Sequence, residues 1–192
     1  TERGAWVCRR LFHKLREAGG ECEAVVPGRF LREEWKKEGM KEPGEEPLSQ
    51  WTGRMFAEKR GMIFVSAAGI AVRAIAPWVR DKMTDPPVVS VDEGAQFVIP
   101  LLSGHVGGAN GLARRIAEWL RSTPVITTAT DVNGKFAVDL FASVYHMVIT
   151  DRKEAKNISA AVLEGKHIGV FSDLPLKTLP EGFILGKHLE KN

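Results

Sequence analysis

The sequence predicts an α/β chain in which a three-layer domain with a mostly parallel sheet is followed by a small second α/β domain. Three observations carry this expectation. Gln96 to Leu102 is apolar enough for a buried strand, and Val125 to Ala129 is a second one introduced by Thr123-Pro124. Between them Leu112, Ile116, Trp119 and Leu120 fall at helical spacing, which makes a βαβ unit with parallel strands and a right-handed crossover. Strand-to-helix handovers at 66–70 and 129–135 repeat the pattern seen at 102–109, each on its own local evidence, so the first domain reads as Rossmann-like. The character changes after Asn133-Gly134, and the expected domains are 1–132 and 133–192.

The elements follow in order. Thr1 to Gly4 leads into a helix with Val7, Leu11, Leu15 and Ala18 on one face, stopped by Gly19-Gly20 and followed by a short strand, Cys22 to Val26. A helix so placed, followed directly by a strand, predicts a further strand ahead of it. Residues 27–48 set glycines and prolines on both sides of a charged Arg32 to Glu38 run and read as a surface excursion. Ser49 is the expected cap of a helix with Trp51, Met55 and Phe56, and a strand from Met62 to Ser66 comes next. Ala67-Ala68-Gly69 then turns into a helix, Ile70 to Val79. Val88 to Val91 is a strand that Asp92-Glu93-Gly94 turns, as a hairpin, into the strand at 96. In the second domain Phe136, Leu140, Phe141 and Val144 mark one helix, and Ala155, Ile158 and Val162 another. Gly165 ends that helix before a strand at His167 to Phe171, and the tail carries a last apolar trio, Phe183 to Leu185.

Leu101 to Asn110, Leu-Leu-Ser-Gly-His-Val-Gly-Gly-Ala-Asn, is the most informative local stretch. In a βαβ unit Ser103, His105, Gly107, Gly108 and Asn110 follow the carboxyl end of one strand, and Thr128, Thr130 and Asp131 follow that of the next, the edge where open α/β sheets bind ligands. Glycines at 104, 107 and 108 admit a close backbone approach, and a helix starting at about Ala109 offers amide N–H groups to an anion. For the glycines alone the better reading is a tight turn in which Ser103 or Asn110 caps the helix, because Gly-x-x-Gly-Gly is neither a dinucleotide fingerprint nor a P-loop. His105 and Asp131 on the same edge favour a site.

Other polar residues carry weaker signals. Arg73, among Val72, Ala74 and Ile75, either reaches a carboxylate ligand or pairs with Asp81, Asp85 or Asp92. Lys82 lies in a turn-like Asp81 to Pro87 run that favours a solvated lysine, and Asp139 on the helix after Gly134 fits a solvated or capping role. His13, His146, His167 and His188 have no partner at metal-ligand spacing.

Composition sets bounds on all of this. A chain of 192 residues holds one large domain, or one domain and a small second one, with a sizeable core. A net charge of +3, with basic residues scattered among acidic ones, asks for no nucleic acid. Cys8 and Cys22 form no CxxC pair and suggest neither a disulfide framework nor a zinc site, so a reducing cytoplasm is the expected location. Arg73, Pro77 and glycine or serine interruptions in the apolar Met62 to Val79 tract argue against a membrane span. Oligomeric state is left open, with a homodimer not excluded.

Four segments together resemble a known family. Ala68-Gly69-Ile70-Ala71-Val72-Arg73-Ala74-Ile75-Ala76-Pro77, Lys82-Met83-Thr84-Asp85-Pro86, Leu101 to Asn110, and Val125-Ile126-Thr127-Thr128-Ala129-Thr130-Asp131 look like the signature blocks of the CbiG family, the cobalt-precorrin-5A hydrolases of anaerobic cobalamin biosynthesis. The resemblance is dense from Met62 to Asp139 and loose over 27–60. Thr1-Glu2-Arg3-Gly4 is similar to the Thr-x-x-Gly after the family's first strand, and 140–185 is similar to its central domain.

The resemblance implies hydrolytic opening of the δ-lactone of a cobalt-bound, ring-contracted tetrapyrrole, with the two-carbon bridge leaving as acetaldehyde. Such chemistry needs a base for water and donors for an oxyanion. Histidine is the side chain that ordinarily titrates near neutrality, which makes His105 the expected proton-transfer group. Ser103, or the amides of Gly107 and Gly108, would serve the oxyanion or hold a substrate acetate or propionate, and Asp131 would orient His105 or a water. Ser103 is less attractive as a covalent nucleophile, since its flanks lack the G-x-S-x-G elbow. Substrate contacts are expected from Gly69, Arg73, Lys82, Gly104, Gly107, Gly108, Asn110, Thr128 and Thr130. Cobalt would arrive within the substrate, so neither a protein cofactor nor a protein metal site is expected, and neighbouring pathway enzymes are the natural contacts. The rival reading is a non-catalytic corrinoid-binding or carrier module. A nucleotide-binding domain is weaker, for want of a P-loop Lys-Ser/Thr or an acidic ribose partner.

Overall fold

The protein is described by a computed structural model over residues 1–186, apart from 146, 174 and 177. The side chain of Val144 and the histidines 146 and 188 lie outside the described residues. The chain divides into two units, Thr1–Ile126 and Thr127–Asn192. Residues 127–132, grouped by sequence with the first domain, go with the second.

In the first unit, α1 (Glu2–Glu17) begins where Thr1 Oγ1 accepts the Gly4 N–H at 3.1 Å, satisfying one of the helix's open donors. It buries Ala5, Val7, Leu11 and Phe12, while Leu15 is only half-buried and Ala18 is exposed. The expected strand at Cys22 to Val26 does not form. The segment makes a single parallel bridge, Val25 to Lys41, because the chain from 41 is its only described backbone partner.

The expected surface excursion is also corrected. A 3-10 turn at Gly28–Phe30 and the short helix α2 (Glu33–Lys37) bury Leu31, Trp35 and Met40 against Ala5, Phe12, Ala24 and Val26. The charged run hides one large apolar residue, Trp35, only 1 % exposed, and that residue anchors a satellite core. Arg9 locks this layer to α1 with a two-pronged grip on Glu38, Nε at 2.8 Å and Nη2 at 2.6 Å, and His13 Nε2 lies 3.0 Å from the same carboxylate.

These contacts, the Arg9 hydrogen bonds foremost, hold the Glu38 carboxyl down at about 2, against 4.5 ordinarily. A carboxyl depressed on folding stabilises the native state above its unfolded value and ceases to do so as pH falls. The Glu38→Gln variant is therefore expected to lose stability at neutral pH and to show a flatter acid limb between pH 4.5 and about 2. Parallel acid titrations followed by circular dichroism would settle it, and identical limbs in both proteins would refute the coupling.

The helix α3 (Leu48–Ala57) starts after Pro47, so Ser49 sits inside its first turn instead of capping it, and Ser49 uses its carbonyl to accept Trp78 Nε1 at 2.8 Å. Next come β1 (Met62–Val65) and α4 (Ala68–Ile75). α4 ends before the expected Val79 because Pro77 lacks an amide proton and disfavours helical geometry in the residue ahead of it. β2 (Val88–Val91), β3 (Phe97–Leu102), α5 (Ala109–Leu120) and β4 (Thr123–Pro124) complete the unit. The strand expected over 125–129 is thus shorter and earlier, its last ladder bond running from Val125 N–H to the Val98 carbonyl.

The four strands lie in the order β1-β2-β3-β4, with β1 parallel to β2, β2 antiparallel to β3 and β3 parallel to β4. The hairpin between β2 and β3 is fastened by Asp92, whose carboxylate accepts the amides of Gly94, Gln96 and Phe97. Period-two alternation gives the sheet two apolar faces. Met62, Phe64 and Val88 meet Met55, Ala71, Ala74 and Ile75 on one side. Val89, Val91 and Val98 meet Val7, Leu11, Ala113, Ile116 and Leu120 on the other. Helix, sheet and helix make the three expected layers.

In the second unit, α6 (Ala129–Val132), α7 (Val138–Val144) and α8 (Arg152–Leu163) accompany β5 (Ile168–Val170) and β6 (Phe183–Leu185), which pair in parallel. Asp151 caps α8 by accepting the amides of Lys153 and Glu154. Phe136 packs edge-on against Phe183, and the apolar trio of the tail is this small sheet's second strand. Among the described residues no helix is long and apolar enough to cross a membrane.

Candidate functional site

The turn from Ser103 to Gly108 joins β3 to α5 and is held by an internal hydrogen-bond net. Ser103 has φ +56°, a left-handed conformation that costs a non-glycine residue free energy, and it is buried. Its hydroxyl donates to the Asp85 carbonyl at 2.7 Å, and its own carbonyl accepts the Ala109 N–H at 3.1 Å. The Gly104 carbonyl takes the Asn110 N–H at 2.9 Å, and the His105 carbonyl takes the Gly108 N–H at 3.0 Å. Gly108, at φ +84°, then opens α5. Asn110 is buried, and its amide side chain crosses Gly104 so closely that a Cβ there would come within 2.8 Å of Oδ1.

This corrects the expectation of a row of open amides. Ala109, Asn110 and Gly108 spend their N–H groups within the turn, whereas Gly107 N–H donates to nothing among the described residues. His105 stands half-buried at the tip. Ser103 is architectural: its one hydroxyl proton is committed to a backbone carbonyl, so neither an oxyanion nor an attacking role is open to it in this geometry. Replacing Ser103 by alanine leaves the Asp85 carbonyl without its donor and keeps the strained backbone, with an expected cost of about 1–3 kcal/mol. Ser103→Gly should be the more stable of the two variants, since it relieves the positive φ. Denaturant melts with turnover measured in parallel test this; a large loss of turnover at unchanged stability would return the hydroxyl to the chemistry.

Sheet topology decides which predicted residues share a neighbourhood. Because β3 runs against β1, the turn after β3 lies at the Met62, Val88 and Leu102 end of the sheet, and the turn after β1 lies at the Val65 and Val91 end. Ser103, Gly104, His105, Gly107, Gly108 and Asn110 therefore stand together, and the 80–87 loop joins them through the Ser103 to Asp85 bond. Lys82, exposed, belongs to that loop. Gly69 is at the opposite end, and Arg73 is exposed and folds back to the Gly69 carbonyl at 3.2 Å. Arg73 has none of the carboxylate partners considered for it: Asp85 accepts the Arg80 amide, and Asp92 holds the hairpin.

Thr128, Thr130 and Asp131 belong to the second unit. Thr128 Oγ1 donates to Asp131 Oδ2 at 2.6 Å across the start of α6, and the Thr130 carbonyl accepts the Lys135 amide. Asp139 accepts its neighbour's amide, from Leu140, at 3.0 Å. Asp85 is the residue that sequence reasoning missed as a partner of the turn. It is only 8 % exposed, and its place ahead of Pro86-Pro87, where the backbone is stiff, was the available signal.

Among the described residues no cluster of His, Cys, Asp and Glu has the makings of a metal site. Cys8 and Cys22 are free thiols, and burial pushes Cys8 up to about 11.

Two family models match the chain in succession, "Cobalamin synthesis G N-terminal" over residues 50–131 and "Cobalamin biosynthesis central region" over 136–191. The chain belongs to the CbiG family. Its relatives include a cobalt-precorrin-5A hydrolase of Salmonella typhimurium, 40% identical over 148 residues, covering 77% of this chain and 42% of that protein. A protein of the same name from Priestia megaterium is 42% identical over 119 residues, covering 62% of this chain and 32% of that one. A solved structure described as a putative cobalamin biosynthesis protein G homolog from Sulfolobus solfataricus aligns with a TM-score of 0.43 at 26% identity, over 72% of this chain and 50% of that one. The CbiG-family chain thus spans less than half the length of the curated relatives it matches. The first family model takes in the whole Ser103 to Gly108 turn, while the satellite core around Trp35 lies ahead of it.

Proposed function

We propose that this chain acts as a cobalt-precorrin-5A hydrolase, opening the δ-lactone of a cobalt-tetrapyrrole and releasing acetaldehyde. The observation that carries the reading is the 40% identity over 148 residues to a relative of that name. The turn supplies groups suited to the reaction. Water adds to the lactone carbonyl carbon as the His105 imidazole takes its proton, and the developing oxyanion is met by the Gly107 N–H, the amide that the turn does not consume. The acyl C–O bond then breaks, and the proton held by His105 passes to the departing alkoxide. In the second stage the freed alcohol is deprotonated and its carbon–carbon bond to the macrocycle breaks. Acetaldehyde leaves, and the electron pair on the macrocycle carbon takes up a proton.

Lys82 faces solvent from the loop joined to Ser103 and is placed to pair with a peripheral carboxylate of the substrate. Cobalt enters as part of that substrate. We assign Arg73 to its own helix end and not to this group.

The test is an anaerobic incubation of the chain with cobalt-precorrin-5A, following acetaldehyde by a coupled dehydrogenase and the macrocycle by mass. Acetaldehyde with the matching mass loss supports the hydrolase. Tight binding of the macrocycle with no acetaldehyde overturns it in favour of the carrier module.

A further inference from the structure

The first unit has a gap in its sheet layer. β1 pairs with β2 on one side only, and among the described residues no strand flanks the other. Met62 and Ser66 donate their amides toward β2, to the carbonyls of Pro87 and Val91 at 2.9 Å each. By the alternation of a strand, the peptide groups of Ile63 and Val65 point the other way. They point into a cleft of about 430 Å³, which Ile63 and Val65 line. Backbone donors and acceptors turned into an apolar space call for partners.

The surroundings of the cleft fit a strand. Its far wall is the 21–25 segment, Leu15 of α1 lines it from one layer, and Trp51 and Met55 of α3 line it from the opposite layer. The two helix layers therefore cover a space at the level of the sheet. Neighbouring strands lie about 4.8 Å apart, so one further strand bridges β1 and the 21–25 segment. Charges lie mainly at one end, where Arg60 and Glu23 pair at 3.5 Å.

Chain direction fits as well. Gly4 packs against Val65 and Glu93, and Arg3 donates to the Gly94 carbonyl at 3.4 Å, so α1 starts at the end where β1 finishes. That is where a strand parallel to β1 would hand over to a helix. α1 then crosses the sheet, and the chain returns at Glu23 beside Arg60, ahead of β1.

We propose that the cleft receives one extended apolar strand, parallel to β1 and supplied by the residues that lead into Thr1. The strand is apolar throughout because helices cover both of its faces. The experiment compares backbone amide exchange by NMR in the 192-residue chain and in the same chain extended by Val-Ile-Val-Ile-Val ahead of Thr1. In the extended protein the amides of Ile63 and Val65 are expected to exchange about a hundredfold more slowly, and the melting temperature to rise. Equal exchange at Ile63 and Val65 in both proteins overturns the proposal. So does equal protection by an extension with proline at its second and fourth positions, which cannot complete the ladder. Protection that grows with protein concentration alongside a sedimenting dimer overturns the assignment to the same chain.

Discussion

Replacing His105 by alanine is expected to lower acetaldehyde release by roughly 10²–10⁴-fold, the usual contribution of a positioned acid–base group. The loss should fall on kcat and leave KM nearly unchanged, because the substrate carboxylates are held elsewhere. Stability should move little: the imidazole is half-exposed, and the turn uses the His105 backbone carbonyl, which alanine retains. Full turnover by His105→Ala would remove the imidazole from the mechanism, and an equal fall in turnover and melting temperature would mark it as structural.

Gly107→Ala is expected to be the most damaging small substitution in the turn. A Cβ at 107 would sit on the Ser103 Cβ and only 2.9 Å from the Ser103 carbonyl oxygen, both parts of a backbone with no room to yield. Ser103 is pinned from its other side by Asp85 and is already in a left-handed conformation, so relief must come from shifting the start of α5. Overpacking of this kind costs ~3 kcal/mol. Because the shift also moves the Gly107 amide, turnover should fall further than the unfolded fraction explains. Gly111→Ala is the control, since a side chain there meets nothing within 4 Å. Equal melting temperatures for the two variants would contradict the packing argument.

Much of the first unit was legible because its signals are local. The start of α5 at Ala109, the helical set Leu112, Ile116 and Leu120, and the 92–94 hairpin each depend on a few neighbouring residues. The failures are non-local. Cys22 to Val26 has strand composition but no backbone partner except Lys41, and composition does not reveal a partner. The 27–48 stretch looked like surface because charge dominates it, yet Trp35 alone on one face of α2 suffices to seed a core. The grouping of Gly69 and Arg73 with His105 missed a consequence of the hairpin itself: reversing β3 against β1 sends their following turns to opposite ends of the sheet. The open amides expected at the helix start were consumed by carbonyls two turns of argument away, those of Ser103, Gly104 and His105, which no periodicity predicts.

The hairpin that reverses the sheet also sets the order in which the sheet is cheapest to assemble. β2 and β3 are joined by residues 92–96, with Asp92 already gathering three amides, whereas β1 to β2 and β3 to β4 need the crossovers 66–87 and 103–122. Chain entropy lost on closure grows with loop length, and near neighbours in sequence meet first. Pulse-labelled exchange should accordingly protect Val89 and Val91 before Phe64, and the opposite order would reject this account. On this account the antiparallel pair at the centre is the seed of the fold, and the parallel strands are latecomers that crystallise on either flank of it.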